Sequence, residues 1–182
     1  MGMNKRNIII VSLLAVAVIL FCCIRFWLIP LKEEKNAKYE KEQADALTHS
    51  IESINSYKSP FMGDASNIGN LFYHLPMNDV AMDFEIHSET YALTINYKDT
   101  AENTGKEKVL RNLAYNSIAA MAAIDNLDSI TYHFTELSYS FTRKQIEDIF
   151  GSPLSNLLEP AVWKEKVQNN LKSKEFIEQF YP

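Results

Sequence analysis

The chain is 182 residues long, which leaves room beyond an N-terminal anchor for one domain of about 150 residues with a single core. Residues 1–30 hold Lys5, Arg6 and Arg25 and no acid, so residues 31–182 set 15 basic against 23 acidic side chains, a formal −8 where the whole chain carries −5. A domain so charged repels phosphate backbones, which argues against nucleic acid as a partner. The only cysteines, Cys22 and Cys23, are adjacent in an apolar run, where a helix points them about 100° apart. That geometry disfavours a disulfide between them, and the cysteine-free remainder excludes a disulfide framework and a Cys-based zinc site.

From Asn7 to Ile24 the run NIIIVSLLAVAVILFCCI holds 18 residues without a charge, and Phe26, Trp27, Leu28 and Ile29 extend it past Arg25. As a helix, that run rises about 27 Å, close to the roughly 30 Å hydrocarbon core of a bilayer. No polar stripe breaks it, as one would in the core helix of a soluble protein. Arg25 can snorkel to headgroups, and Trp27 suits an interfacial belt. Arg25, Phe26 and Trp27 stand where a signal peptidase needs small residues, Phe21 precedes Cys22 where lipoprotein processing needs a small one, and Arg6 stands where myristoylation needs Ser or Thr. The reading is an uncleaved single-pass signal anchor over residues 7–29. Residues 1–6 form a cytoplasmic tail, residues 30–43 a charged juxtamembrane stalk and residues 44–182 an extracytoplasmic domain. Basic residues nearly balance across the span, so this sidedness rests on a short tail followed by a long domain.

Within the domain, Ala44, Leu47, Ile51 and Ile54 fall at helical spacing and predict an amphipathic helix after the solvated charge run Lys32–Lys41. The segment SYKSPFMGDASNIGN is dense in Ser, Pro, Gly and Asn and reads as a loop. Asp64 then caps a short helix burying Ile68, Leu71, Phe72 and Leu75, stopped by Pro76. Strict alternation sets Met82, Phe84 and Ile86 against Asp83, Glu85 and His87, then Tyr91, Leu93, Ile95 and Tyr97 against Ala92, Thr94 and Asn96: a hairpin turning at Ser88–Thr90. After the polar loop KDTAENTG, Lys106–Asp125 predicts a helix with Leu110, Leu113, Ala114, Ile118, Met121 and Ile124 inward, its IAAMAAI half the most buried helical segment in the chain. Two more alternating stretches follow, with Ile130, Tyr132 and Phe134, then Leu137, Tyr139 and Phe141, pointing in. Thr142 with Gln145 makes a capping box for a helix ending at Gly151 and Pro153, and a last helix starts near Pro160 with Trp163, Val167, Leu171, Ile177 and Phe180 inward. The order α-α-β-β-α-β-β-α-α suggests an α+β domain. Its single four-stranded, mainly antiparallel sheet is packed by helices on one face and partly wet on the other.

Two stretches resemble a known family. Tyr57-Lys58-Ser59-Pro60-Phe61-Met62-Gly63-Asp64-Ala65-Ser66-Asn67-Ile68-Gly69-Asn70 resembles the opening signature of the bacterial domain-of-unknown-function family 4825, and Glu89-Thr90-Tyr91-Ala92-Leu93-Thr94-Ile95-Asn96-Tyr97 resembles its second, with Thr90 where proline is usual. Ala123-Ile124-Asp125-Asn126-Leu127-Asp128 is similar to the end of the family's helix. The match covers roughly residues 45–155. The resemblance implies a mostly Gram-positive cell-surface domain carried on membrane anchors, or appended to membrane metallopeptidases of the beta-lactam-sensor type. It implies no established activity and no catalytic residues.

The most distinctive polar cluster is Lys58, Gly63, Asp64 and Asn67, which could form a ligand- or peptide-binding loop at a helix N-terminus. Its structural reading makes Asp64 a cap, Gly63 a turn and Lys58 a solvated side chain. Tyr57, Tyr91 and Asn96 join it as candidate partner-binding residues. Glu85, His87 and Glu89 alternate and could share a strand face as metal ligands, with His133 and Glu136 added from the other hairpin. The ordinary reading is a solvated sheet face. The chain has no HExxH, no GxSxG elbow and no glycine-rich phosphate loop. The expectation is a non-enzymatic module without a cofactor that binds or senses a protein, peptide or envelope component. The alternatives are a metal-dependent or other hydrolase using the sheet's wet face, and a structural accessory subunit of a membrane complex.

Overall fold

The computed structural model describes residues 5–181, so residues 1–4 of the expected tail lie outside the described residues. The chain divides into two compact units, Met1–Lys41 and Glu42–Pro182. In the first, α1 (Lys5–Cys23) passes through a π-helical turn, Ile24–Leu28, into α2 (Ile29–Gln43), with helical backbone angles at both joins. Pro30 accounts for the wide turn. Its ring would collide with the carbonyl four residues earlier, and a turn closed by Ile29 N–H donating to Ile24 O makes room for it. Ser12, the one polar residue in the middle of the apolar run, donates its hydroxyl to Ile9 O at 2.8 Å. Leu14, Phe21, Phe26 and Trp27 are exposed along it. Among the described residues this is the one helix long and apolar enough to cross a membrane, with a mean hydropathy of 2.5 in its most apolar window and none of that window buried.

The amphipathic helix expected across residues 44–54 does not form. Asp45 turns the chain instead: its carboxylate accepts the Leu47 N–H at 2.9 Å and its carbonyl the His49 N–H at 2.9 Å, a local arrangement that competes with helix. A 3₁₀ segment, Ile51–Tyr57, follows, and Ala44, Ala46, Ile51 and Ile54 still reach the core. α3 (Ala65–Tyr73) begins at its Asp64 cap as expected and buries Ile68, Leu71 and Phe72.

Four strands, β1 (Met82–His87), β2 (Ala92–Tyr97), β3 (Ser129–His133) and β4 (Ser138–Thr142), form one sheet in the order β1-β2-β3-β4. The two hairpins are antiparallel, but β2 and β3 run parallel, so the sheet is mixed. The reason lies in the connection. After the short α4 (Ala101–Thr104) comes α5 (Lys106–Ala123), an 18-residue crossover that returns the chain to the end where β2 began. α6 (Arg143–Phe150) starts on its Thr142 cap and stops at Gly151, whose φ of 81° suits a helix end only glycine fills without strain. The single last helix expected from Pro160 is broken into α7 (Pro160–Trp163), a π turn, a 3₁₀ turn and α8 (Lys174–Glu178), because Ser173 leaves the helical region and caps α8 through Phe176 N–H. Trp163, Val167, Leu171 and Phe180 point inward throughout.

α5 carries the domain. Every residue from Asn112 to Ile124 is buried, with the sheet against one side and the short segments Ile51–Tyr57 and Leu154–Leu158 packed on it. Helix ridges alone cannot hold irregular chain in place, and here side-chain amides do it. Asn112 accepts the Ala46 N–H at 2.9 Å, Asn116 donates to Pro76 O at 2.7 Å, and Ser117 meets the Tyr132 hydroxyl at 3.1 Å. Asn112→Ala would leave the buried Ala46 N–H without an acceptor, at about 1–3 kcal/mol. In urea unfolding it is expected to lower the midpoint clearly, while Asn103→Ala, at an exposed position of α4, shifts stability by about 0.5 kcal/mol or less.

Candidate functional site

The three family-like segments meet at one end of the sheet. Ser59 N–H donates to Ala123 O at 2.9 Å and Asp125 N–H to Ser59 O at 3.0 Å, a two-bond bridge between the first signature and the end of α5. Asn126 Oδ1 accepts the Met62 N–H at 2.7 Å, and Asp128 N–H donates to Tyr91 O at 2.8 Å. Residues 123–128 are thus a clasp between the two signatures. Arg143 holds the clasp from beneath, donating Nη2 to Met121 O and Ile124 O at 2.9 and 2.7 Å and Nε to Leu127 O at 3.0 Å. A guanidinium there both satisfies the orphan carbonyls of α5 and sits at the negative end of its dipole. No spacing in the sequence marks Arg143 for this role, because its three acceptors lie 16 to 22 residues away.

The first-signature candidates serve this architecture. Asp64 accepts the Asn67 N–H at 3.0 Å as the cap of α3, and Asn67 Nδ2 donates to Tyr57 O at 2.8 Å, tying the helix start to the 3₁₀ segment. Lys58 is exposed. Gly63 does not supply a left-handed turn: its φ is not positive, and a Cβ there would meet nothing within 4 Å. The loop does present Phe61, 68% exposed, between Ser59 and the buried Met62. Ser59 Oγ donates to Phe61 O at 2.9 Å and accepts the Phe61 N–H at 3.1 Å, which fixes the backbone under that ring. A large aromatic lying between Pro60 and Gly63, outside every periodic apolar pattern, is the sequence signal that could have singled it out.

Tyr91 departs from the inward face expected of it. It is the last residue of the turn, at φ 53°, and its ring is 50% exposed. The His87 carbonyl accepts the Thr90 N–H at 3.1 Å, so the chain turns over residues 88–91 and the strand resumes only at Ala92. A tyrosine with positive φ is strained by about 1 kcal/mol and persists here because its carbonyl is clasped from Asp128 and Ser129.

On the wet sheet face, Asn96 Nδ2 donates to Asp83 Oδ1 at 2.7 Å and Glu85 Oε1 at 3.0 Å. Lys98, then Asn96, hold the Asp83 carboxyl below its ordinary value. His87 lies 4.0 Å from Glu85 and 3.3 Å from Thr94 Oγ1. The proposed ligand row does not assemble. β1 ends at His87, so Glu89 belongs to the turn, and Glu136 accepts the Ala101 N–H at 2.7 Å. His133 pairs with Asn96 and His87 with Ala92, a separation of about 13 Å along the strands. Among the described residues no three His, Cys, Asp or Glu side chains group as metal ligands.

Beneath the first signature runs a buried network. His49 Nε2–H donates to His74 O at 2.6 Å, since a carbonyl can only accept; Nδ1 therefore accepts from the Tyr115 hydroxyl at 2.7 Å. Ser53 Oγ lies 3.1 Å from the same Nε2, but a nitrogen committed as a donor cannot serve as that serine's base. The His74 ring in turn packs on Tyr57 at 4.9 Å.

A family model described as "Domain of unknown function (DUF4825)" matches residues 54–144, which run from the 3₁₀ segment through the four strands to Arg143 and Lys144. No curated protein and no solved structure matches the chain.

Burial, above all, lowers the His49 pKa from 6.5 to about 4. The fold therefore disfavours its imidazolium, and the unfolded chain takes up a proton first as pH falls. The stability tied to this group is complete above pH 6.5 and drains between 6.5 and about 4, by roughly 3 kcal/mol. His49→Gln, which can accept from Tyr115 and donate to His74 O, is expected to flatten that part of the pH–stability curve measured by urea denaturation. An unchanged curve would remove His49 from the account.

Proposed function

This chain belongs to the DUF4825 family, and from that premise we propose that it is a membrane-tethered, extracytoplasmic, non-enzymatic interaction module. Its apolar helix is the anchor, and residues 44–182 stand outside the membrane. The clasped end of the sheet is the docking surface, and a protein or peptide of the cell envelope is the partner. The observation that carries the reading is the pair of rings, Phe61 and Tyr91, held out to solvent on turns pinned to the same segment, residues 123–128. Rigidly seated aromatics lose little conformational freedom on binding and supply much of the energy at protein interfaces. Asp64, Glu89, Asp125 and Asp128 are exposed on the same segments, so the partner's complementary surface carries cations.

A photo-crosslinking residue placed at Phe61 or Tyr91 of the full chain in intact cells is expected to capture one defined partner, and the same probe at Asn103 is expected to capture none. Phe61→Ala lowers that capture about tenfold or more. Tyr91→Gly does the same while leaving stability unchanged or up to about 1 kcal/mol higher, because glycine accepts the positive φ without strain. Equal crosslinking at all three positions, or undiminished capture in both variants, contradicts the surface. A reporter fused after residue 182 that works only in the cytosol contradicts the sidedness.

A further inference from the structure

We infer that the domain has a second, separate binding site, a pocket between α5, the 170–172 turn and α8 that takes a small organic carboxylate with an apolar body. The cavity is about 180 Å³. Leu110, Leu171, Ile177 and the Tyr181 ring give it an apolar wall, and a ring-sized hydrocarbon fills a cavity of about 150 Å³. The Tyr181 hydroxyl is already spent, donating to Leu110 O at 2.5 Å, so the aromatic body and not the phenol faces a ligand.

Charge identifies the other half of that ligand. The pocket is lined by Arg111, Lys172 and Lys174 against Glu107 and Glu178, a net cationic spot on a domain that is acidic overall. The two lysines are engaged: Lys172 donates to Asn169 Oδ1 at 2.9 Å, and Lys174 pairs with Glu178 at 3.6 Å. Arg111 is different. Its Nε is buried and has no hydrogen-bond partner among the described residues. A buried guanidinium N–H without an acceptor is costly, and a carboxylate offers two parallel acceptors to the guanidinium fork. Glu107, one helical turn before Arg111, repels such a ligand and sets its affinity low.

The test uses the full chain in lipid nanodiscs, where no detergent competes for the apolar wall, and follows the arginine Nε–H resonances by NMR. Titration with 3-phenylpropionate or hexanoate is expected to shift the Arg111 signal saturably, with a dissociation constant of about 1 mM or tighter. The uncharged alcohols 3-phenylpropanol and hexanol bind at least about tenfold more weakly. Ile177→Trp, which fills the cavity and leaves the charges alone, abolishes saturation; Glu107→Gln tightens binding several-fold. Crosslinking at Phe61 is unaffected by the acids, which separates this site from the clasp surface. The proposal is overturned if the Arg111 signal does not saturate, if alcohol and acid bind alike, or if Ile177→Trp binds as the wild type does.

Discussion

The domain depends on the C-terminal part of one helix being wet nowhere. From Asn112 to Ile124 the chain has no solvent face, so its polar side chains turn inward, and the two asparagines bond backbone groups of segments with no regular structure of their own. Burial and specificity become a single constraint. Apolar side chains of α5 fill the space between sheet and outer segments, and its two asparagines fix which part of the outer chain lies where. Replacing those amides by aliphatic groups would keep the hydrophobic contribution and lose the register of residues 44–46 and 76.

The end of this helix then organises the surface. Its last carbonyls need acceptable donors, and they receive the Ser59 amide and the Arg143 guanidinium. Those same bonds draw the first signature and the start of α6 onto residues 121–128, and Asp128 catches the hairpin turn at Tyr91. Satisfying a helix C-terminus thereby aligns two loops that are 30 residues apart. Phe61 and Tyr91 stand on that alignment, so a surface built from turns inherits the rigidity of the core. The polar sheet face, by contrast, is a set of local pairs, Asn96 between two carboxylates and His133 with Ser138, that converge on no common point.

Much of this was legible in the residues because the relevant signals are periodic or local. Alternation located all four strands, the all-apolar IAAMAAI run marked the buried half of α5, and Asp64 and Thr142 announced their helices as caps. What the sequence did not show is non-local. Alternation says nothing about whether two hairpins join parallel or antiparallel; the crossover through α5 decides that. Helical spacing in residues 44–54 was overridden by the Asp45 turn, and Tyr91 followed the alternation by spacing while its backbone sat in the left-handed region. Arg143 was invisible for the same reason: a cation after a strand has no pattern until the three carbonyls it serves are brought together.

The central claim is that the clasp and the core are one cooperative unit, and native-state hydrogen exchange of the full chain tests it directly. The amides of Ser59, Met62, Asp125 and Asp128 are expected to exchange only with global unfolding, at the same free energy as those in the middle of α5. If the Ser59 and Met62 amides open at much lower free energy while α5 stays protected, the loop is held by itself alone, and the rigid presentation of Phe61 and Tyr91 is contradicted.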